Sequence, residues 1–163
     1  MLTCKLDELM AEDALLAEEA QKATLLSYAP YSNFHVGAAV LLENGEIVRG
    51  ANQENASYPC GICAERSALA TAQNLYPGVP VVAIALTAES KGETVSQPVT
   101  PCGMCRQVIS ETQKRYKSGI RILMLSKTEA IIANSIDLVR YEPQDKAMWD
   151  AAYDKYLSIV NKK

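Results

Sequence analysis

The chain holds 163 residues, with sixteen basic against nineteen acidic side chains, a single histidine and a formal charge of −3. That length fits one domain with a sizeable core, since domains most often hold about 100–150 residues, and a pI near 5.2 leaves no cationic footprint for DNA or tRNA. The start lacks the basic opening and apolar run of a secretory signal, and no stretch approaches the roughly 20 apolar residues that cross a bilayer, so a cytoplasmic protein with no membrane partner is expected.

Residues 1–163 read as one domain without internal repeats. Leu6, Leu9, Leu16, Ala20 and Ala23 recur at roughly helical spacing among acids and lysines, which predicts a single amphipathic helix over about 5–27. Tyr28-Ala29-Pro30 ends it. The apolar run 34–42 predicts a strand, Asn44-Gly45 a hairpin turn because both residues tolerate positive φ, and 46–51 the returning partner. A helix is expected over 64–76, a β-rich run over 79–87, a second helix over 104–116 and a strand over 120–125. Between them, the polar stretch 89–100 reads as an exposed loop. The order ββαβαβ specifies an α/β sandwich. From residue 141 onward the chain forms a tail, with a helix expected over 144–160 carrying Met148, Trp149, Ala152, Tyr156 and Ile159.

Chemistry concentrates in two segments, Cys63-Ala64-Glu65-Arg66 and Pro101-Cys102-Gly103-Met104-Cys105-Arg106-Gln107. Five cysteines, an odd number, with four of them in two C-x-x-C pairs, read as metal ligands in a reducing compartment and not as disulfides. Two arrangements satisfy the spacing. Cys60, Cys63, Cys102 and Cys105 would close a structural zinc site, whereas Cys63, Cys102 and Cys105 alone would leave a tetrahedral ion one open position, the arrangement used for catalysis. A water there would have its pKa drawn towards roughly 7, and Glu65 sits where it can move that water's proton. The open arrangement is preferred because the closed one leaves Glu65 and Arg66 without a role. Cys60 is then most simply a small buried apolar residue, and isolated Cys4 is inert.

Each ligand group precedes an expected helix, so Cys63 and the Cys102/Cys105 pair should lie near helix N-termini, where free N–H groups favour thiolate. Three thiolates on a dication leave a charge of −1, which weakens the Lewis acid and calls for a compensating cation. Arg66 is the candidate. Plainer readings stand beside these: Glu65 as an ordinary first-turn glutamate, Phe34 as a core aromatic, Asn52 and Glu54 as the polar end of a hairpin strand. His35 reads as a strand side chain with no ligand spacing.

The two segments resemble the Cys-x-Glu and Pro-Cys-x-x-Cys signature of the zinc-dependent nucleoside and nucleobase deaminases. Tyr28-Ala29-Pro30-Tyr31-Ser32-Asn33-Phe34-His35-Val36-Gly37-Ala38-Ala39 and Gly50-Ala51-Asn52-Gln53-Glu54-Asn55-Ala56-Ser57-Tyr58-Pro59 look like the cytidine deaminase branch. The likeness covers about 26–126. It implies a three-layer α/β/α sandwich with a mixed sheet, a zinc ion on Cys63, Cys102 and Cys105, Glu65 as the catalytic acid and base, and Arg66 donating to ligand sulfurs. It further implies that Phe34 packs against the pyrimidine, that Asn52 and Glu54 hold the ribose hydroxyls, and that backbone groups at Ala64 and Cys102 touch the base. The implied reaction is hydrolytic deamination of cytidine or deoxycytidine, with another aminopyrimidine or modified nucleoside as the alternative substrate, in a homotetramer. In the family a terminal aromatic residue after Leu-Leu-Pro closes the pocket. This tail lacks that pattern, leaving Tyr141 or Trp149 as substitutes. A zinc-stabilised binding or assembly protein without turnover is the reading from a different class, and a nucleic-acid editing enzyme is disfavoured by the acidic pI.

Overall fold

Side chains that alternate between two apolar faces set the architecture. In chain order the elements are β1 (Leu2–Lys5), α1 (Ala11–Ala23), β2 (Phe34–Leu42), β3 (Ile47–Ala51), α2 (Ala64–Leu75), β4 (Val81–Ser90), β5 (Glu93–Thr94), α3 (Gly103–Tyr116), β6 (Arg121–Leu125) and β7 (Glu129–Asn134). The computed structural model describes residues 2–134 and, beyond them, 150, 151, 153–155 and 158. Along β2, β4 and β6, side chains such as Val40, Ile84 and Met124 pack with Ala68 and Leu69 of α2 and Ile109 of α3. Their neighbours Leu41, Ala83, Ala85 and Leu123 pack on the opposite face with Leu16 and Ala20 of α1. That period-2 division is what a sheet covered by helices on both faces requires.

The strands lie in the order β1-β7-β6-β4-β2-β3, with β5 paired to β4. β4 and β6 run parallel, joined by α3, and the other pairings are antiparallel. The sheet is therefore mixed, in three layers, as the resemblance implies. Two glycines let the helices approach it closely. A Cβ at Gly37 would stand 2.2 Å from the Ala20 carbonyl oxygen of α1, and one at Gly50 would stand 2.3 Å from the Ala68 nitrogen of α2. The second contact seats α2, and with it the first ligand segment, against β3. On the other face, Asp13 is buried and takes Nη2 of Arg121 at 2.6 Å and Nε at 3.2 Å, while Glu12 accepts from the same Nη2 at 3.1 Å.

Strand β2 has the bounds read from its sequence, and the hairpin forms with Gly45 at φ 86. Its loop spans residues 43–45, because Leu42 N–H bonds to the Glu46 carbonyl at 2.9 Å, and only the glycine uses positive φ. The first helix departs from expectation. Residues 2–5 form an edge strand on β7, with Cys4 opposite Ala130, and Leu6–Glu8 make a 3-10 turn before α1 begins at Ala11. Leu6 and Leu9 still pack against the α1 layer, so their helical spacing reflects a shared apolar face and not one continuous helix. Strand β7, which supplies the partner for β1, went unread. The stretch 89–100 is also not all loop: β4 continues to Ser90 and turns back through Lys91 and Gly92, both at positive φ, into β5. Of the helix expected over 144–160, residues 150, 151, 153–155 and 158 are helical. Tyr141 and Trp149 lie outside the described residues.

Candidate active site

Both ligand segments are helix starts. Cys63 is the N-cap of α2 (φ −75, ψ 154) and its carbonyl accepts the Ser67 N–H at 3.0 Å; Cys102 is the N-cap of α3 (φ −68, ψ 171) and its carbonyl accepts the Arg106 N–H at 2.9 Å. Cys105 follows in the first turn of α3 and is fully buried. Arg106 braces the second start, its Nε donating to the Pro101 carbonyl at 2.8 Å. The sheet carries both helices on one face, so their N-termini, and the sulfurs on them, converge.

Cys63 Sγ lies 3.9 Å from Cys102 Sγ, Cys102 Sγ lies 3.5 Å from Cys105 Sγ, and all three fall within 4.8 Å of one another. Zinc–sulfur bonds of about 2.3 Å in a tetrahedron require sulfur–sulfur edges of about 3.8 Å. The observed separations straddle that value, and a soft three-sulfur donor set suits zinc. The residues therefore fit the ion. Cys60 is not one of the group. The backbone at Gly61 and Cys63 is extended, and Ile62 is paired with Gln53, which carries Cys63 away from Cys60 along the chain. Cys60 is exposed, contrary to the buried apolar role expected of it. It ends a 3-10 turn, Tyr58–Cys60, that faces solvent.

Glu65 is 4 % exposed. Burial pushes its carboxyl above the ordinary carboxylate range, against the pull of its own helix N–H, the neighbouring Cys105 thiol and the Arg66 charge. The same burial raises the Cys63 and Cys105 thiols, both of which also feel the charge of Glu65. Cys102, the most open of the three, is drawn down, first by the Cys105 backbone N–H. Cys63 is an N-cap too, so the contrast follows burial: amide hydrogens at a helix start stabilise the anion at the open Cys102, while desolvation outweighs them at Cys63.

Arg66 makes no hydrogen bond to a sulfur among the described residues. Its side chain lines a cavity of about 320 Å³ between α2 and α3, beside Leu69, Gln73 and Arg115. Ala64 is buried at the first position of α2.

The remaining expected residues meet around one three-stranded crossing. Gln53 pairs in parallel with Tyr28 and antiparallel with Ile62, exchanging bonds of 2.9 and 3.0 Å with the latter. Its backbone thus ties segment 28–34, segment 52–54 and the Cys63 segment together. Asn52 Oδ1 accepts the Val36 N–H at 2.8 Å and the Ser27 hydroxyl at 2.6 Å, and its Nδ2 donates to the Phe34 carbonyl at 2.9 Å. Glu54 accepts the Tyr31 N–H at 2.9 Å and the Ser32 hydroxyl at 2.5 Å. Those bonds hold its carboxyl below the usual range, the Ser32 hydroxyl contributing most. Phe34 is half-buried where β2 begins, opposite Ser90. His35 lies opposite Glu89 in the sheet and takes no part in the sulfur group. Gln53, Ser27 and Ser32 were not singled out in the sequence, although each lies within or beside the quoted segments.

Residues 10–118 match the family described as the cytidine and deoxycytidylate deaminase zinc-binding region. Over 97 residues the chain is 50 % identical to the cytidine deaminase of Halalkalibacterium halodurans, spanning 60 % of this chain and 69 % of that one. Among solved structures it resembles cytidine deaminase from Burkholderia pseudomallei, with a TM-score of 0.66 and 35 % identity over 78 % of this chain and 94 % of that one. Cytidine deaminase from Mycobacterium leprae gives 0.62 and 32 %, over 82 % of this chain and all of the other. With three converging cysteine sulfurs, a buried carboxyl beside them and a family match over two thirds of its length, the chain belongs to the cytidine and deoxycytidylate deaminase zinc-binding family.

Proposed function

We propose that the chain hydrolyses the bond between C4 and the exocyclic amine of cytidine and deoxycytidine, giving uridine or deoxyuridine and ammonia. The observation that carries this is Glu65: a buried carboxyl in the first turn of α2, two residues after Cys63 of the three-sulfur group. Cys63, Cys102 and Cys105 would hold zinc, which when bound supplies Lewis acidity that makes water a competent nucleophile near neutral pH. Glu65 takes a proton from the attacking water and delivers it to N3 of the pyrimidine as oxygen adds at C4. It then takes the proton of the new C4 hydroxyl and passes it to the exocyclic nitrogen, the C4–N bond breaks with its electron pair going to nitrogen, and C4 becomes a carbonyl. One group serves because it is alternately base and acid, a role typically worth about 10²–10⁴-fold.

Phe34 packs on the base, and the backbone at Ala64 and Cys102 borders it. Asn52 retains a second amide N–H beyond the one given to Phe34, and Glu54 retains acceptor sites beyond those it uses, so each can take a ribose hydroxyl while still bracing the chain. A carboxylate at the sugar also repels a nearby 5′ phosphate, which favours nucleosides over nucleotides. Arg66, close enough to act on Glu65, offsets the negative charge of the three-thiolate centre. Around the site, Tyr58 is 91 % exposed, and Tyr28, Tyr31, Leu25, Leu26 and Met104 are exposed too. A concentration of apolar surface on these segments suits association with further copies of the chain, consistent with a homotetramer. No helix among the described residues is long and apolar enough to cross a membrane, and a cytoplasmic location accords with the reduced cysteines the site requires.

Incubating zinc-loaded protein with a panel of aminopyrimidine nucleosides and measuring ammonia tests the reading. Cytidine and deoxycytidine should be turned over, and Glu65→Gln should lower turnover by about 10²-fold or more with zinc retained. Bound zinc without ammonia from any nucleoside would instead indicate a binding or assembly protein, and near-normal turnover by the variant would remove Glu65 as acid and base.

A further inference from the structure

Phe34 enters β2 through a turn whose side-chain hydrogen bonds converge on one hydroxyl. Ser32 Oγ donates to Glu54 Oε1 at 2.5 Å and accepts the Phe34 backbone N–H at 3.0 Å. The backbone N–H groups of Tyr31 and Ser32 donate to the other carboxylate oxygen, Glu54 Oε2, at 2.9 and 3.3 Å. Asn33 intervenes at φ 52, a left-handed conformation that asparagine tolerates better than most residues, and its N–H returns to the Ala29 carbonyl at 3.0 Å. Asn52 grips Phe34 from the other side through its carbonyl.

We infer that Ser32 is a positioning residue for the substrate: its hydroxyl fixes the Glu54 carboxylate and the Phe34 backbone relative to each other, so that the sugar-binding group and the base-packing ring move as one unit. This rests on the proposed roles of Glu54 and Phe34. A serine hydroxyl has a single hydrogen to donate. Since the Phe34 N–H is itself a donor, that hydrogen must go to Glu54, and the rotor has no second arrangement that satisfies both partners. The bond it makes is of the stronger, charge-assisted kind, in keeping with the lowered Glu54 carboxyl. Without the hydroxyl, Glu54 keeps two backbone N–H bonds at Oε2, but Oε1 is released and the Phe34 N–H loses its acceptor. The turn is exposed, so water replaces the lost partners and the cost falls on alignment and not on folding.

The test uses zinc-loaded full-length protein, Ser32→Ala and Ser32→Thr, with cytidine and 2′,3′-dideoxycytidine, which lacks the ribose hydroxyls assigned to Glu54. Ser32→Ala should raise KM for cytidine about tenfold with kcat within about twofold. Its KM, or inhibition constant, for the dideoxynucleoside should change less than about threefold, and Ser32→Thr should restore the cytidine value, with zinc content and melting temperature unchanged throughout. Equal losses on both nucleosides, no loss on cytidine, failure of threonine to rescue, or loss of zinc or fold in Ser32→Ala would each overturn the assignment. Turnover of cytidine by the unmodified protein separates the two readings: if it is present and Ser32→Ala behaves normally, only the role of Ser32 falls, and if it is absent the proposed function falls with it.

Discussion

Cys60 and Cys63 form a C-x-x-C pair in the sequence, yet only the second joins the sulfur group, because the intervening backbone is extended and pinned at Ile62 by Gln53. Cys60→Ser should therefore keep one zinc per chain, whereas Cys102→Ser should lose it; comparable metal loss in the two variants would mean that all four sulfurs are ligands. At this scale the sulfur group was legible because metal ligation needs particular residue types at particular offsets: three thiols in that spacing have few other uses. Asn52 and Glu54 were half legible. Their identity was plain, but their commitment to the backbone of Phe34, Val36 and Tyr31 arises from contacts across about twenty residues of chain, which no local pattern encodes. The exposure of Cys60 was missed for the opposite reason, since a free cysteine is buried more often than not and nothing near it says that this one closes a surface turn.

The elements read correctly are those whose signals are local. Strand β2 alternates between two apolar faces and ends at a glycine turn, and α2 and α3 start at Cys63 and at Cys102 after Pro101. The missed β1 and β7 pair residues 2–5 with 129–132, and a strand that depends on so distant a partner carries little signal of its own. The fold is also tied across 108 residues of chain by Asp13 of α1 and Arg121 of β6. Asp13 is buried while Arg121 keeps 31 % of its side chain in solvent, so the two ends of the pair are unequal. Arg121→Ala strands a buried carboxylate and should cost about 2–3 kcal/mol, below the roughly 3–5 kcal/mol for breaking a fully buried pair because of that exposure. Asp13→Ala leaves the guanidinium with Glu12 and water and should cost less. Urea melts of both variants decide it, and an Arg121→Ala loss below that of Asp13→Ala would show that the pair is not what buries Asp13.

Across the whole molecule, the three sulfurs that would hold zinc stand where the starts of α2 and α3 meet. Farther along, the helices are joined by Gln73 Nε2 donating to the Thr112 hydroxyl at 3.4 Å and by Arg115 donating to Gln73. Beneath them lies an apolar layer in which Leu69, Ile84, Leu86 and Ile109 are almost wholly enclosed, and none of that packing needs the ion. A closed structural zinc site would make folding depend on metal, since in such domains binding free energy is folding free energy. Here the core should survive chelation. A ligand at about 100 times its dissociation constant adds about 2.7 kcal/mol to stability, and in a chain of this size each kcal/mol moves the melting temperature by about 2–4 °C. Removing zinc should therefore lower the melting temperature by roughly 5–10 °C while the far-ultraviolet circular dichroism stays that of a folded protein, and adding zinc back should restore both melting and ammonia release. An unfolded apo-protein would make the metal a staple first and a reagent second. An unchanged melting curve would mean that the three sulfurs do not hold the ion in the folded chain.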